Sequence, residues 1–585
     1  MTKDGSLADV ALKSLFLGPQ SENAVWLQSA VNDLLVRWFE WRQSRYVEDG
    51  RAISLTDTSS ISFKEQRVQA KNMLAELSSR LEEEIPKYSP RYMGHMFSEI
   101  SMPALLGHLA ALIHNSNIIS CESARIAVKI EDEAISELLK MIGFSDLAGT
   151  GHFTSGGTLA NFEAVVRARA RLALWMAVGA ALSQATQEAA NPLDDGVMGW
   201  ALFDQKLRQL KEFVPDWQAA VDSWNFEKIG YADFKQRMLH VFGINLGNPV
   251  MLVPYHRHYC WPKAAALFGF GDETLKNISL DAEGHLDPAS LSHRIAQARS
   301  SNSPVMMVVS VVGTTELGLV DPVHEVNEVC EATGHVWHHV DAAYGGFFAT
   351  MNREVCLEMT DNLEKSLQGM GIAQSVTIDP HKLGYVPYSA GVFLTRDRRN
   401  YDLKSVSVPY IQYSDFDRGP FTIEGSRPVT GAAATWMVSK TIKLNAEGMG
   451  SIIARNFHAR KMLEQELLKS RLPVRVAKTN DTNVLCFVVA RQGENISSVN
   501  TRTSKIYDSM SGNNSKFMVS KTTIDWQHYP ALCDRFSSSW SSTNDTGEIS
   551  LVRICLMNPF FTSKEMALSY PSSFVSDLEA VVGDD

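Results

Sequence analysis

Four segments carry residue types whose spacing could do chemistry together. In SVTIDPHKLGYVPYSAG, Lys382 follows a β-branched apolar run and stands beside His381. A lysine at the end of a buried strand is costly to charge unless a carboxylate pairs with it. Its neutral amine can condense with a carbonyl group; an ordinary loop lysine reaching solvent is the competing reading. In HVDAAYGGFF, Asp341 closes another apolar run. There it either caps a turn or holds a proton on the ring nitrogen of a heterocycle. In GHFTSGGTLANFEAVVRARARL, Thr154, Ser155 and two glycines lead into a helical pattern. Small residues at a helix start leave backbone N–H groups open to an anion, although the same pattern serves as ordinary capping. In PYHRHYCWPKAAALFGFG, His258 precedes a helix, and its imidazole can stack on a flat ring.

Other chemistries fit less well. The chain has neither the GxxxxGK[ST] phosphate loop nor the GxSxG nucleophile elbow. His256, His258 and Cys260 alternate along the chain, and His335, His338 and His339 cluster. Neither group has the CxxC or HExxH spacing of a specific metal site, so no metal is expected.

The elements that position these residues change in texture along the chain. Ala24 to Gln43 carries apolar residues at three- and four-residue spacing, which predicts an amphipathic helix. A second helical pattern over Lys64 to Glu84 is closed by Pro86 and Pro90. From Met102 onward, short apolar runs alternate with helical stretches: Met251–His256, Pro304–Thr315, His335–Tyr344, Ser375–Asp379 and Ala390–Thr395. Continuous apolar strands separated by helices predict a mainly parallel sheet covered on both faces. The polar, helix-rich stretch 180–248 reads as an insertion. After Gly431 come a helix, the run NVLCFVVA and the run ISLVRICLMNP, which fit a small α+β domain. The expected division is a helical arm (1–100), a large domain (101–430) and a small domain (431–585).

Across 585 residues, 45% are hydrophobic and 21% charged, with 37 Gly and 21 Pro, which excludes a mainly disordered, collagen-like or coiled-coil chain. A net charge of −11 without a basic tract argues against nucleic acid or a membrane surface as partner. Small molecules remain. The seven cysteines are scattered and include no CxxC, unlike a disulfide framework. No secretory signal is evident, and no apolar run approaches the ~18 residues that span a bilayer. A soluble cytoplasmic protein is expected.

Taken in this order, the four segments resemble the group II pyridoxal-phosphate-dependent amino-acid decarboxylases, over about residues 85 to 440, with support from LVRICLMNP. The DPHKLGYVPYSAG block is most similar to bacterial tyrosine decarboxylases, and EGSRPVTGAAATW to glutamate decarboxylases. The resemblance implies the α/β fold of type I pyridoxal-phosphate enzymes, aspartate-aminotransferase-like, with a mainly parallel seven-stranded sheet and a small α+β C-terminal domain. It implies pyridoxal 5'-phosphate as cofactor and a homodimer with shared active sites.

Residue by residue, it implies that Lys382 bonds the cofactor aldehyde and that Asp341 pairs with the pyridine nitrogen. His258 would stack on one ring face and Ala343 on the other. Thr154, Ser155, Ser375 and His381 would hold the cofactor near its phosphate, and Thr314 would meet the ring-hydroxyl side. Arg427 matches an arginine that receives the substrate carboxylate. His95 and Asn115 lie in segments that line the family's substrate pocket, some contributed by a partner subunit. Tyr410 and Tyr413 are the loop candidates for the proton donor, while Tyr385 and Tyr388 match tyrosines of the pocket.

The expected reaction is decarboxylation of an L-amino acid, with an aromatic substrate ahead of glutamate or aspartate. An acidic side chain would need a second cation, for which Arg91 and Lys263 are the candidates. An aminotransferase or carbon–carbon lyase of the same fold type is a further alternative, as is a catalytically silent binding protein.

Overall fold

The computed structural model describes residues 11–404, 414, 417–512, 515–541, 544–564, 566 and 569–583. At its centre lie β1 (Thr150–Thr154), β2 (Val250–Pro254), β3 (Leu275–Ile278), β4 (Val305–Val311), β5 (His338–Ala342), β6 (Ser375–Ile378) and β7 (Gly391–Thr395). They form one sheet in the order β1-β7-β6-β5-β4-β2-β3. β2 to β6 run parallel, and β7 is antiparallel to both of its neighbours. This is the mainly parallel α/β sheet that the apolar runs predict, with the seven strands that the family resemblance implies. β4, which reads VMMVVSV, is buried along its whole length, as a strand covered on both faces must be. Register pairs Val311 with Asp341 and Asp341 with Thr377, so β4, β5 and β6 end side by side. Asp341 and the residues that follow β6 therefore meet at one edge, where ligands of open α/β sheets bind.

Around this sheet and in the N-terminal arm, the helices that bear on the site are α1 (Ala24–Arg45), α2 (Ile61–Leu81), α3 (Met102–His114), α4 (Ala127–Met141), α5 (Gly157–Thr186), α6 (Cys260–Leu267) and α7 (Thr430–Thr441). α5 is buried over most of its 30 residues, which explains why RLALWMAVGAAL has no polar face. It runs into the predicted insertion, and shorter helices fill the rest of that stretch. Phe203, Trp224 and Phe234 from those helices share a core with Trp175 of α5, so the insertion is an outer layer on the large sheet. α3 and α7 approach closely: a Cβ at Gly107 would lie 2.7 Å from the Ala433 carbonyl oxygen.

A second, wholly antiparallel sheet contains β8 (Val474–Val476), β9 (Val484–Val489), β10 (Ser520–Asp525) and β11 (Glu548–Cys555) in the order β10-β11-β9-β8. The segment before α3 threads into it, with Met93 N–H donating to the Met518 carbonyl and Cys555 N–H to the Met93 carbonyl. α1 and α2 behave differently, since neither buries a residue in the protomer. Among the described residues, no helix is long and apolar enough to cross a membrane.

Candidate active site

The carboxyl ends of the central strands open into a cavity of about 430 Å³, lined by Ser155, His258, Asp341, Ala343, His381 and Lys382 among others. Sequence reasoning singled out all six.

Lys382 lies in the turn after β6, and its Nζ is 3.0 Å from Asp379 Oδ2. Burial works against the charged amine, but the Asp379 carboxylate, its hydrogen bond and the more distant Asp341 outweigh it and raise the lysine's pKa. The second oxygen of Asp379 has no hydrogen-bond partner. Asp341 is buried, and its carboxylate collects three N–H donors: Asn161 Nδ2 at 2.8 Å, Trp261 Nε1 at 3.3 Å and the Ala343 amide at 3.3 Å.

Two imidazoles complete the walls. His258 Nδ1 accepts from the Cys260 amide at 3.3 Å. Burial lowers its pKa, with Lys382 adding to the effect and Asp341 opposing it, which favours the uncharged ring. His381 Nδ1 accepts from the Ala390 amide at 3.1 Å, and its Nε2 is 3.5 Å from Asp379. Burial lowers its pKa as well. The Tyr388 ring, 57% exposed, stacks on His381 with centroids 4.0 Å apart. Phe97 meets Tyr388 edge-on and stacks on Tyr92 and His95.

The start of α5 faces the same space. Gly156 is its N-cap, and no side chain caps the helix. A Cβ on Gly157 would fall 2.9 Å from both the Ala343 Cβ and Asp379 Oδ2, so close approach requires glycine there. The first N–H groups of a long helix are thus left open to an anion. An amine, an opposed carboxylate, a neutral flat ring and an uncapped helix start together suit a phosphorylated pyridine aldehyde.

Several expected site residues are used elsewhere. The Thr154 hydroxyl is spent on the Gly156 carbonyl and amide, where it shapes the turn. Thr314 Oγ1 accepts from the Leu319 amide, and its neighbour Thr315 lines the cavity instead. Ser375 starts β6, at the opposite end from the cavity, and bonds Trp337 and His339. Arg427 is not free for a substrate: it forms a buried two-pronged ion pair with Glu131 and donates to the Phe153 carbonyl at 3.0 Å. Tyr385 is a core residue whose hydroxyl donates to the Met557 carbonyl.

His95 and Asn115 are exposed and lie outside the protomer's cavity, Asn115 as the left-handed C-cap of α3. Arg91 packs over the Phe517 ring and Lys263 over the Tyr259 ring. Tyr410 and Tyr413 lie outside the described residues. The two histidine groups also separate: His256 pairs with Asp321 at 2.9 Å, His338 bonds Ser310 and Asn327, and His339 bonds Ser375 and Asn161.

Two residues of the cavity lining, Asp379 and Asn161, are missed from sequence, as is a buried arginine outside that lining, Arg553. Asp379 is spelled three residues before Lys382, a spacing that signals a pair. Asn161 sits one helical turn into α5, behind the glycines. Arg553, within β11, is buried and donates to the Gly94 carbonyl at 2.9 Å and to Ser520 Oγ at 3.1 Å, while its Nε has no partner. Among the described residues no carboxylate pairs with it. A lone arginine inside the apolar run LVRICLM was its signal.

The family description "Pyridoxal-dependent decarboxylase conserved domain" matches residues 235–490. The chain is 28% identical to an L-tyrosine decarboxylase of Levilactobacillus brevis, over 98% of this chain and 97% of that one. It is 27% identical to an L-tyrosine decarboxylase of Enterococcus faecalis, over 95% of each. Among solved structures it shares the fold of Oryza sativa TDC with PLP and tryptamine, with a TM-score of 0.63, 17% identity and coverage of 96% and 98%.

Proposed function

We propose, from the pyridoxal-dependent decarboxylase domain matched at residues 235–490, that the chain decarboxylates an aromatic L-amino acid, tyrosine first. The observation that carries the catalytic reading is the placement of Lys382 and Asp341 in one cavity, each with its own polar partners. When bound, pyridoxal phosphate supplies an aldehyde for the substrate's amino group and an electron-withdrawing ring for the charge left when CO2 departs.

The chain's own residues do the rest. Lys382 would hold the aldehyde end through its amine, and Asp341 would keep the proton on the ring nitrogen. His258 and Ala343 would hold the ring, and Ser155, His381 and the first amides of α5 would hold the phosphate. Arg553, buried and with no carboxylate partner among the described residues, is the cation this reading gives to the substrate carboxylate. Tyr388, Tyr410 and Tyr413 are the tyrosines that can return a proton to the substrate carbon.

Two observations favour an aromatic side chain. The two bacterial relatives act on tyrosine by their names, and Tyr92, His95, Phe97 and Tyr388 form a group of rings in stacked and edge-on contact beside His381. An acidic substrate would need a further cation, and Arg427 is committed to Glu131. Within this reading the arm, large and small regions keep the division at about 100 and 430. The arm serves a second copy of the chain: Trp26, Phe39, Trp41, Leu55 and Ile61 are all exposed in the protomer, an apolar load that single chains seldom leave to water. Seven free cysteines, six of them buried, suit the reducing cytoplasm.

The test is CO2 and amine release from tyrosine, phenylalanine, tryptophan, DOPA, glutamate and aspartate with added pyridoxal phosphate. Equal amounts of CO2 and tyramine are expected from tyrosine. Release from glutamate or aspartate alone overturns the aromatic reading, and amine transfer to a keto acid without CO2 overturns decarboxylation. Light scattering should give twice the chain mass, falling to one chain mass when residues 1–84 are removed.

A further inference from the structure

Behind the cavity lies a buried chain of polar groups that the reaction itself does not use. Trp337 Nε1 donates to Ser375 Oγ at 2.9 Å, Ser375 Oγ is 2.8 Å from His339 Nδ1, and His339 Nε2 is 3.0 Å from Asn161 Oδ1. Asn161 Nδ2 then reaches Asp341 Oδ2 at 2.8 Å. Strand geometry brings the groups together. His339 and Asp341 alternate onto the same face of β5, and Ser375 is the register partner of His339 across β6. α5 lays Asn161 over that face. Every member is buried, with Trp337, His339 and Ser375 at 0% exposure.

The ends of the chain fix its direction. An indole N–H only donates, and a carboxylate only accepts. Asn161 must therefore turn its NH2 toward Asp341 and its oxygen toward His339. That oxygen accepts from His339 Nε2–H, which leaves Nδ1 as the acceptor of the Ser375 hydroxyl proton. Thr377 Oγ1, at 3.3 Å, is a second neighbour of Nε2. Every donor along the path has an acceptor, and Asp341 Oδ2 takes a second donor from Trp261 Nε1 at 3.3 Å, a pairing that matters most in a low-dielectric interior. Burial, reinforced by the neighbouring His338, pushes the His339 pKa down to about 3, in keeping with a neutral ring.

We infer that Ser375, His339 and Asn161 are positioning residues: a one-way hydrogen-bond relay from Trp337 that aims the Asp341 carboxylate into the cavity and fixes His339 as its Nε2–H tautomer. The role toward the cofactor rests on Asp341 as the ring partner, while the tautomer follows from the relay alone. This also gives Ser375 a task at the far end of β6, away from the phosphate. Ring-tautomer control by a second hydrogen bond is a general way of orienting a functional histidine.

The test uses the full chain, with and without pyridoxal phosphate. Histidine side-chain ¹⁵N spectra, with the His339 signal assigned by its loss in His339→Gln, should show a neutral Nε2–H ring in the parent. Ser375→Ala should shift that ring away from the pure Nε2–H form and weaken pyridoxal phosphate binding about tenfold. It should also move the absorption maximum of the bound cofactor, and Ser375→Thr, which keeps the hydroxyl, should restore all three. His339→Gln can still accept from Ser375 and donate to Asn161, and should stay near the parent, whereas His339→Leu should not. An Nδ1–H or doubly protonated His339 in the parent overturns the relay. So does Ser375→Ala with parent-like spectra and cofactor affinity. If Asp341→Asn also leaves cofactor affinity and absorption unchanged, the reading of Asp341 fails separately, and the ¹⁵N result still decides the tautomer.

Discussion

Lys382 and Asp379 form an ion pair of 3.0 Å inside the cavity, three residues apart on a turn that follows β6. A lysine that must condense with an aldehyde needs a neutral amine, and Asp379 works against this. Burial favours the neutral form, but the carboxylate overrides it and raises the pKa. Asp379→Asn removes the opposing charge, so a larger share of the amine is neutral at any pH below that pKa. The apo variant should take up pyridoxal phosphate severalfold faster near neutral pH, with the advantage shrinking toward alkaline pH. Stopped-flow absorbance after mixing apo protein with cofactor, repeated across pH, reads this directly. Slower uptake at every pH would mean that Asp379 is needed to place the lysine rather than to charge it.

Arg427 and Glu131 give a contrasting prediction, because their pair is buried and outside the cavity lining. Removing one member leaves an uncompensated charge in the core. Arg427→Ala should cost about 3–5 kcal/mol of stability, seen as a large drop in urea midpoint. Folded molecules should keep a KM for the amino acid close to the parent's. A raised KM at parental stability would return Arg427 to substrate binding.

Arg553 should show the opposite pattern. Its Nη1 already bonds the Gly94 carbonyl and Ser520, but no carboxylate among the described residues neutralises it. A buried cation that awaits a substrate anion should be felt in kcat/KM more than in the fold. Arg553→Gln keeps a planar donor and is expected to lower kcat/KM by about ten- to a hundredfold. The loss should lie mainly in KM, and the melting temperature should change by only a few degrees. Unchanged kinetics with lost stability would make Arg553 a core cation only.

These contrasts mark what the chain's spelling can and cannot disclose. Lys382, Asp341 and His258 are legible because each stands at the end of an apolar run, and the carboxyl ends of parallel strands converge. Ser375 stands at the beginning of such a run, so the resemblance that implied a place near the phosphate set it at the wrong end of the strand. Arg427 is misread because its neutralising partner lies 296 residues away, and no local pattern links the two. Thr154 sits beside true cavity residues, yet which hydroxyl turns inward depends on side-chain torsions. β1 is missed because TGHFT is short and interrupted by Gly151 and His152, and pairing with β7 makes it a strand. The arm helices are legible as helices. What covers their apolar faces is not, since a second chain leaves no mark in local periodicity.

The seam between the two sheets carries a pH-dependent contact. His285, in the turn after β3, places Nε2 2.7 Å from Asp481 Oδ2 and Nδ1 3.5 Å from Asp281. Burial would lower its pKa, but hydrogen bonds from the ring to both carboxylates raise it from 6.5 to about 10. A histidine that binds its proton more tightly when folded adds stability below the unfolded pKa of 6.5. That contribution declines as pH climbs from 6.5 and is gone once it has passed about 10. His285→Gln should therefore unfold at lower urea than the parent near pH 6, and the gap should narrow steadily as pH rises to 10. Urea midpoints at matched ionic strength would show it. A gap that stays constant or widens toward pH 10 would mean that the imidazole is neutral in the fold, and that Asp481 takes only a single uncharged hydrogen bond from it.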